Sequence, residues 1–197
     1  MTLPVLTRLF LETLSAPRDA AVRLLGLGLR GEALWLAGAL VVVLYPLSVA
    51  PQAAALVASG QMLAMMAHPM MALVLVGAQL LGTIVALWLA CRLLGARPDL
   101  EGVAVLFIWV EALRVAAQFL ASVFEIVGLS SLSGMLSIAV FVLGLWISVH
   151  FVDVLTGFGS LLKSFGAFFL GAMILTFAAE IGLRMMGLSL MEVMNNV

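Results

Sequence analysis

Charge is scarce in this chain: Asp, Glu, Lys and Arg make up 10% of its 197 residues, against about a quarter in ordinary soluble domains. The formal net charge of -1 and the absence of any Lys/Arg cluster exclude nucleic acid as a partner, because phosphate binding needs a concentrated basic surface. A single cysteine, Cys91, excludes an internal disulfide and any multi-cysteine metal or iron-sulfur site. The two histidines, His68 and His150, are too far apart for a zinc-protease helix motif, and no P-loop or nucleophile-elbow pattern occurs. Ser148 and His150 are two residues apart and so point to different faces of a helix, which argues against an intramembrane hydrolase. No catalytic residue, cofactor or metal site is therefore expected, and the chain reads as a non-enzyme. Repeats of 20 to 50 residues are also missing.

What the chain has in abundance is apolar length, with 65% hydrophobic residues and a mean hydropathy of +1.28. A membrane-spanning helix needs roughly 20 mostly apolar residues, because about 30 Å of hydrocarbon is crossed at about 1.5 Å per residue. Five stretches meet or approach this, at residues 33–50, 70–94, 103–127, 132–152 and 165–183. The fold class expected is an all-α polytopic membrane bundle with the lipid bilayer as its solvent. Residues 1–31 form its amphipathic prelude and residues 32–197 its transmembrane domain. Tyr45 and Pro46 suggest an interfacial anchor followed by a stop or kink in the first span.

Leu6, Leu9, Phe10, Thr13 and Leu14 fall on one helical face opposite Arg8 and Glu12. Pro17 suits a first helical turn, after which Val22, Leu24 and Leu25 face away from Arg18 and Asp19. Two short helices follow, either lying on the cytoplasmic surface or packing on the bundle. Arg8 and Glu12 interrupt the first apolar run, so the N-terminal segment is expected to be retained instead of cleaved as a signal peptide. Lipidation motifs are missing as well, which leaves attachment to the helices. The GLGLRG run at residues 26–31 matches a dinucleotide fingerprint in letters but lacks the preceding strand, and reads as a joint.

Orientation follows from basic residues held on the cytoplasmic side. Arg8, Arg18, Arg23 and Arg30 precede the first span, Arg92 and Arg97 flank the second loop, and Lys163 lies at the fourth. The alternate loops, residues 51–69 and 128–131, have no Lys or Arg, so the N-terminus is expected inside and the C-terminus outside a bacterial inner membrane. The loop at 51–69 is apolar and rich in Met, including Met62, Met65 and Met66, and is expected to lie along the outer interface. Thioethers suit soft metals, but no further ligands accompany them, so the Met residues read as adaptable packing.

The third stretch carries Glu111, Arg114, Gln118 and Glu125 on one helical stripe, where charge is costly enough to demand a reason. Arg114 falls about 16 Å from the start of that stretch, near the bilayer midplane, with Glu111 one turn away as its counter-ion. His150 and Asp153 share a face at the cytoplasmic end of the fourth span. Glu111, Arg114, Gln118, His150 and Asp153 are the expected intramembrane polar cluster, with Arg92 and Lys163 as further neighbours. It serves either as an ion, proton or headgroup pathway or as an ion-pair network that fixes packing, and the paired Glu and Arg favour the second. Glu125 groups by depth with Glu180 and Arg184 at the exterior end, the last two spaced as a favourable helical pair. Gly166, Ala167 and Gly171, with Ser130, Gly134 and Ser137, permit close packing within the chain or with other membrane proteins or copies of itself.

Leu9-Phe10, the run from Thr13 to Leu25, Trp109 to Arg114, and Gly144 to Gly171 resemble the bacterial Yip1-type membrane proteins. The resemblance implies a five-helix membrane fold and a role in membrane organisation or scaffolding through lipid or protein contacts. The Asp-Leu-Tyr-Gly-Pro motif of eukaryotic relatives is missing, so their small-GTPase partners are not implied here. The rival expectation is a small transporter or channel for an ion, proton or polar lipid headgroup.

Overall fold

The computed structural model describes residues 3–58, 60 and 68–185, and among these the chain is all-helical. Seven helices follow in order: α1 (Leu3–Ser15), α2 (Pro17–Gly26), α3 (Gly31–Ala58), α4 (Pro69–Leu93), α5 (Leu100–Ile126), α6 (Ser130–Thr156) and α7 (Leu161–Met185). The last five contain the five apolar stretches and are each long and apolar enough to cross a bilayer. Their outer faces carry Leu36, Val74, Phe141 and Leu162 at 61%, 64%, 73% and 81% exposure. Such a continuous apolar surface would be untenable in water and is the expected lipid-facing surface of an integral membrane protein.

Local chemistry sets where the helices start. Pro17 opens α2 at its first turn, where the missing N–H is no loss. The Asp99 carboxylate accepts the Gly102 N–H at 3.0 Å, so α5 begins three residues before its apolar run. The joint at GLGLRG is a tight turn between α2 and α3, with Gly28 and Gly31 at φ +61° and +55°, a region glycine enters without strain.

The first span departs from its sequence reading. α3 does not stop at Pro46 but continues through Pro46 and Pro51 to Ala58, taking in the start of the segment expected to be an interfacial loop. Proline inside a helix removes the N–H that the carbonyl four residues back would accept, here those of Val42 and Leu47. Around this stretch the Ser48 hydroxyl donates to the Tyr45 carbonyl at 2.7 Å, and the Ser122 hydroxyl of α5 donates to the Ser48 carbonyl and so fastens α3 to α5. Met62, Met65 and Met66 lie outside the described residues.

Four helices, α4 to α7, form a ring in which each packs on the next and α7 closes back on α4. α3 lies outside it against α5 and α4. The α4–α7 crossing is close because Gly171 has no side chain: a Cβ there would come 3.1 Å from the Leu87 Cα. Ala167 beside it is fully buried, whereas Gly134 and Gly166 have nothing within 4 Å of where a Cβ would stand.

α1 and α2 fold back across one end of this ring, and α2 packs on α5 and α6. Their buried faces pack on the bundle. Leu9, Thr13, Ala20, Ala21 and Leu24 are buried, while Phe10, Leu14 and Val22 stay exposed. Thr13 fastens the contact, its hydroxyl donating to the Leu9 carbonyl at 2.7 Å and accepting from the Trp109 indole at 3.0 Å. Glu12, expected on the solvent face, is largely buried and pairs with Arg23 at 3.1 Å.

Candidate functional site

The α5 stripe begins with the pair foreseen in the sequence. An Arg114 Nη2 to Glu111 Oε1 contact of 3.0 Å joins residues one turn apart in the middle of the helix. The Arg114 guanidinium also lies over the Tyr45 ring of α3, 5.2 Å from its centroid. That is a cation–π contact, strengthened wherever water is thin.

This pair does not sit in a closed interior. Glu111, Arg114 and Gln118 line a cavity of about 440 Å³ between α4, α5, α6 and α7 that is partly open at the exposed Phe141. Gln79 and Thr83 of α4 and Ser137 and Ser148 of α6 add further polar groups to its wall, with Leu87, Phe107, Leu145 and Phe168 among the apolar ones. The Thr83 and Ser137 hydroxyls donate to carbonyls of their own helices, at 2.8 and 3.0 Å. The Gln79 and Gln118 amides and the Ser148 hydroxyl have no such partner among the described residues. Polar groups with unused hydrogen-bonding capacity are costly in hydrocarbon unless water or a ligand meets them.

The cavity is blind toward the α1–α2 end. One turn beyond its lining, Val103 and Leu106 of α5, Phe151 and Val152 of α6, and Ala90 and Cys91 of α4 are all fully packed. Among the described residues these apolar side chains close the cavity at that end.

His150 and Asp153 are not brought to it. The His150 ring donates from Nδ1 to the Trp146 carbonyl at 2.8 Å and packs edge-on against the Trp146 ring. Asp153 lies deep under α2, its side chain 1% exposed, where Arg18 reaches it at 2.5 Å. Its other oxygen accepts from the Ser164 hydroxyl at 3.1 Å and the Ser160 N–H at 3.2 Å. The carboxylate thereby ties α2, α6 and the start of α7 together. Arg92 stacks on Trp88 and Lys163 is exposed, so neither is the partner of Asp153. The five-residue cluster thus divides into a cavity group of Glu111, Arg114 and Gln118, a fastening through Asp153 at the capped end, and His150, which among the described residues bonds only within its own helix.

At the opposite end Arg184 pairs with Glu180 at 2.7 Å, and the second Glu180 oxygen is buried without a partner among the described residues. Glu125 is half-buried and makes no ion pair with either of them. His68 caps α4, its Nδ1 accepting the Met70 N–H at 3.3 Å.

Sequence reasoning missed Gln79, Ser137, Ser148, Tyr45 and the Arg18–Asp153 bond as elements of this arrangement. A signal for some was present: Gln79 is an amide in a span otherwise nearly free of polar side chains. Ser137 and Ser148 are eleven residues apart, three helical turns, and so share a face.

Fold and site together define the class: an integral membrane protein of five long apolar helices, with an ion pair facing an intramembrane cavity. No protein-family model, curated protein or solved structure matches the chain.

Proposed function

We propose that the protein is a non-enzymatic membrane protein that admits a small polar or amphipathic molecule to the chamber among α4–α7. The carrying observation is that Glu111, Arg114 and Gln118 face a cavity of about 440 Å³ instead of a sealed interior. That volume falls within the range of about 300 to 1,000 Å³ typical of small-molecule sites, and apolar walls with a few convergent polar groups are their usual composition. The Lys/Arg distribution in the loops supports a bacterial inner membrane with the N-terminus in the cytoplasm and the C-terminus outside. The capped end then faces the cytoplasm.

Native mass spectrometry from lipid nanodiscs tests the reading. One small molecule per chain is expected on the wild-type protein and none on Ala117→Trp, which fills the cavity from its wall. A wild-type chain that is always empty, and that moves neither solute nor lipid in liposomes, would overturn it.

The segments that resemble Yip1-type proteins favour a second reading, in which the bundle organises membrane through lipid or protein contacts. Affinity capture in mild detergent addresses it: a partner retained by Ala117→Trp supports this role independently of the cavity.

A further inference from the structure

The chamber's chemistry is asymmetric, and the asymmetry indicates the sign of its occupant. Glu111 and Arg114 cancel in formal charge, but they do not present themselves equally. The Glu111 side chain is 16% exposed and turns an oxygen to Arg114, whereas Arg114 is 39% exposed and engages Glu111 through one terminal nitrogen. A guanidinium carries five N–H donors in a planar fork, and Tyr45 covers its face without consuming any of them. Most of these donors are left to meet an acceptor. The fork matches the paired oxygens of a carboxylate or phosphate, which it binds with strong charge-assisted hydrogen bonds.

The surroundings reinforce that sign. The Gln79 and Gln118 amides and the Ser148 hydroxyl supply further donors without a protein partner among the described residues, and no second acidic side chain lines the cavity. Arg114 is the fifteenth of the 27 residues of α5, at mid-helix. An anion at that depth needs the donors the chamber provides. Beyond them the wall turns apolar through Leu80, Leu87, Phe168 and Leu175 of α4 and α7, a surface that suits a hydrocarbon chain.

Resting on the reading of the cavity as a binding chamber, we propose that its ligand is an anionic amphiphile. The carboxylate or phosphate of the ligand engages Arg114, and its chain lies along the α4–α7 wall. Glu111 acts as a positioning residue, holding the guanidinium toward the chamber.

Native mass spectrometry of the full chain in a neutral detergent tests this with three probes: lysophosphatidic acid, the uncharged monoacylglycerol of the same chain length, and inorganic phosphate. Saturable binding of one lysophosphatidic acid is expected, at least about tenfold tighter than the monoacylglycerol, the scale of losing one charge-assisted hydrogen bond. The double variant Glu111→Gln/Arg114→Gln, which keeps shape while avoiding an unpaired buried charge, should bring the two lipids to parity. Arg184→Gln, remote from the cavity, should leave the preference unchanged. The wild-type comparison needs no variant to fold. Equal affinity for the monoacylglycerol would overturn the anionic ligand while leaving the binding chamber standing. Equal affinity for inorganic phosphate would overturn the amphiphile. Binding of none of the three would overturn the inference, and an empty wild-type chain in nanodiscs would remove the chamber reading itself.

Discussion

Asp153 and Arg114 show two ways in which one chain handles charge among apolar helices. Asp153 is saturated: a guanidinium, a hydroxyl and a backbone N–H all converge on a carboxylate whose side chain is 1% exposed. Arg18, its partner, is 58% exposed. Removing the cation should therefore cost more than neutralising the anion, because only the first leaves a buried charge short of a donor. Arg18→Ala is expected to destabilise by about 2 kcal/mol, the scale of a hydrogen bond to a charged group, and Asp153→Asn by less. Thermal unfolding in mild detergent checks this; equal losses would mean that the carboxylate is not dependent on Arg18. Arg114 is held by one carboxylate oxygen and an aromatic face. Tyr45→Phe keeps that face and should be neutral, while Tyr45→Leu removes it and should cost about 1 kcal/mol in the same assay.

At the scale of the element, small residues decide how closely two helices approach. Gly171 and Gly166 are both glycines of α7, but only the first lies against another backbone. Gly171→Leu should force α4 and α7 apart and lower the unfolding temperature sharply, by the equivalent of at least about 1–3 kcal/mol for overpacking. Gly166→Leu points into open space and should be tolerated. Comparable losses at both positions would contradict the α4–α7 crossing. The floor of the chamber is equally specific: Leu106 is fully buried, and Leu106→Ala should cost about 2–5 kcal/mol.

What was legible in the residues follows from which interactions are local. The spans were readable because apolar length and bilayer thickness are properties of one segment, and the Glu111–Arg114–Gln118 stripe because its spacing is helical. The fate of α3 was less so. Pro46 marks a weak point in any isolated helix, and the packing of α3 against α5 and α4 is not visible in the segment itself. The Arg18–Asp153 bond was hidden for a stronger reason. Its partners are 135 positions apart and meet only because α2 folds back across the bundle. The chamber is a property of four helices at once, so no single stretch reveals it.

For the whole molecule, the distinction that matters is between a tightly packed, capped end and a hollow middle. Val103, Leu106, Phe151, Val152 and Cys91 fill the ring beneath α1 and α2, while the next turns open around Arg114. A space of about 440 Å³ with Glu111, Arg114 and Gln118 in its mainly apolar wall is large enough to hold water beside those polar groups when no ligand is present, since a single water needs about 10–15 Å³ of probe volume. Wetness is therefore the most direct signature of the chamber, and the chain carries its own control. Cys91 lies in the packed floor with no exposed surface. The measurement is thiol modification by a small methanethiosulfonate reagent in nanodiscs, read by mass spectrometry on wild-type protein and on Gln118→Cys and Ser137→Cys. Modification at positions 118 and 137 with Cys91 untouched is expected. Protection of all three thiols would contradict a wet, ligand-accessible chamber, and modification of Cys91 as fast as the others would contradict its closed floor.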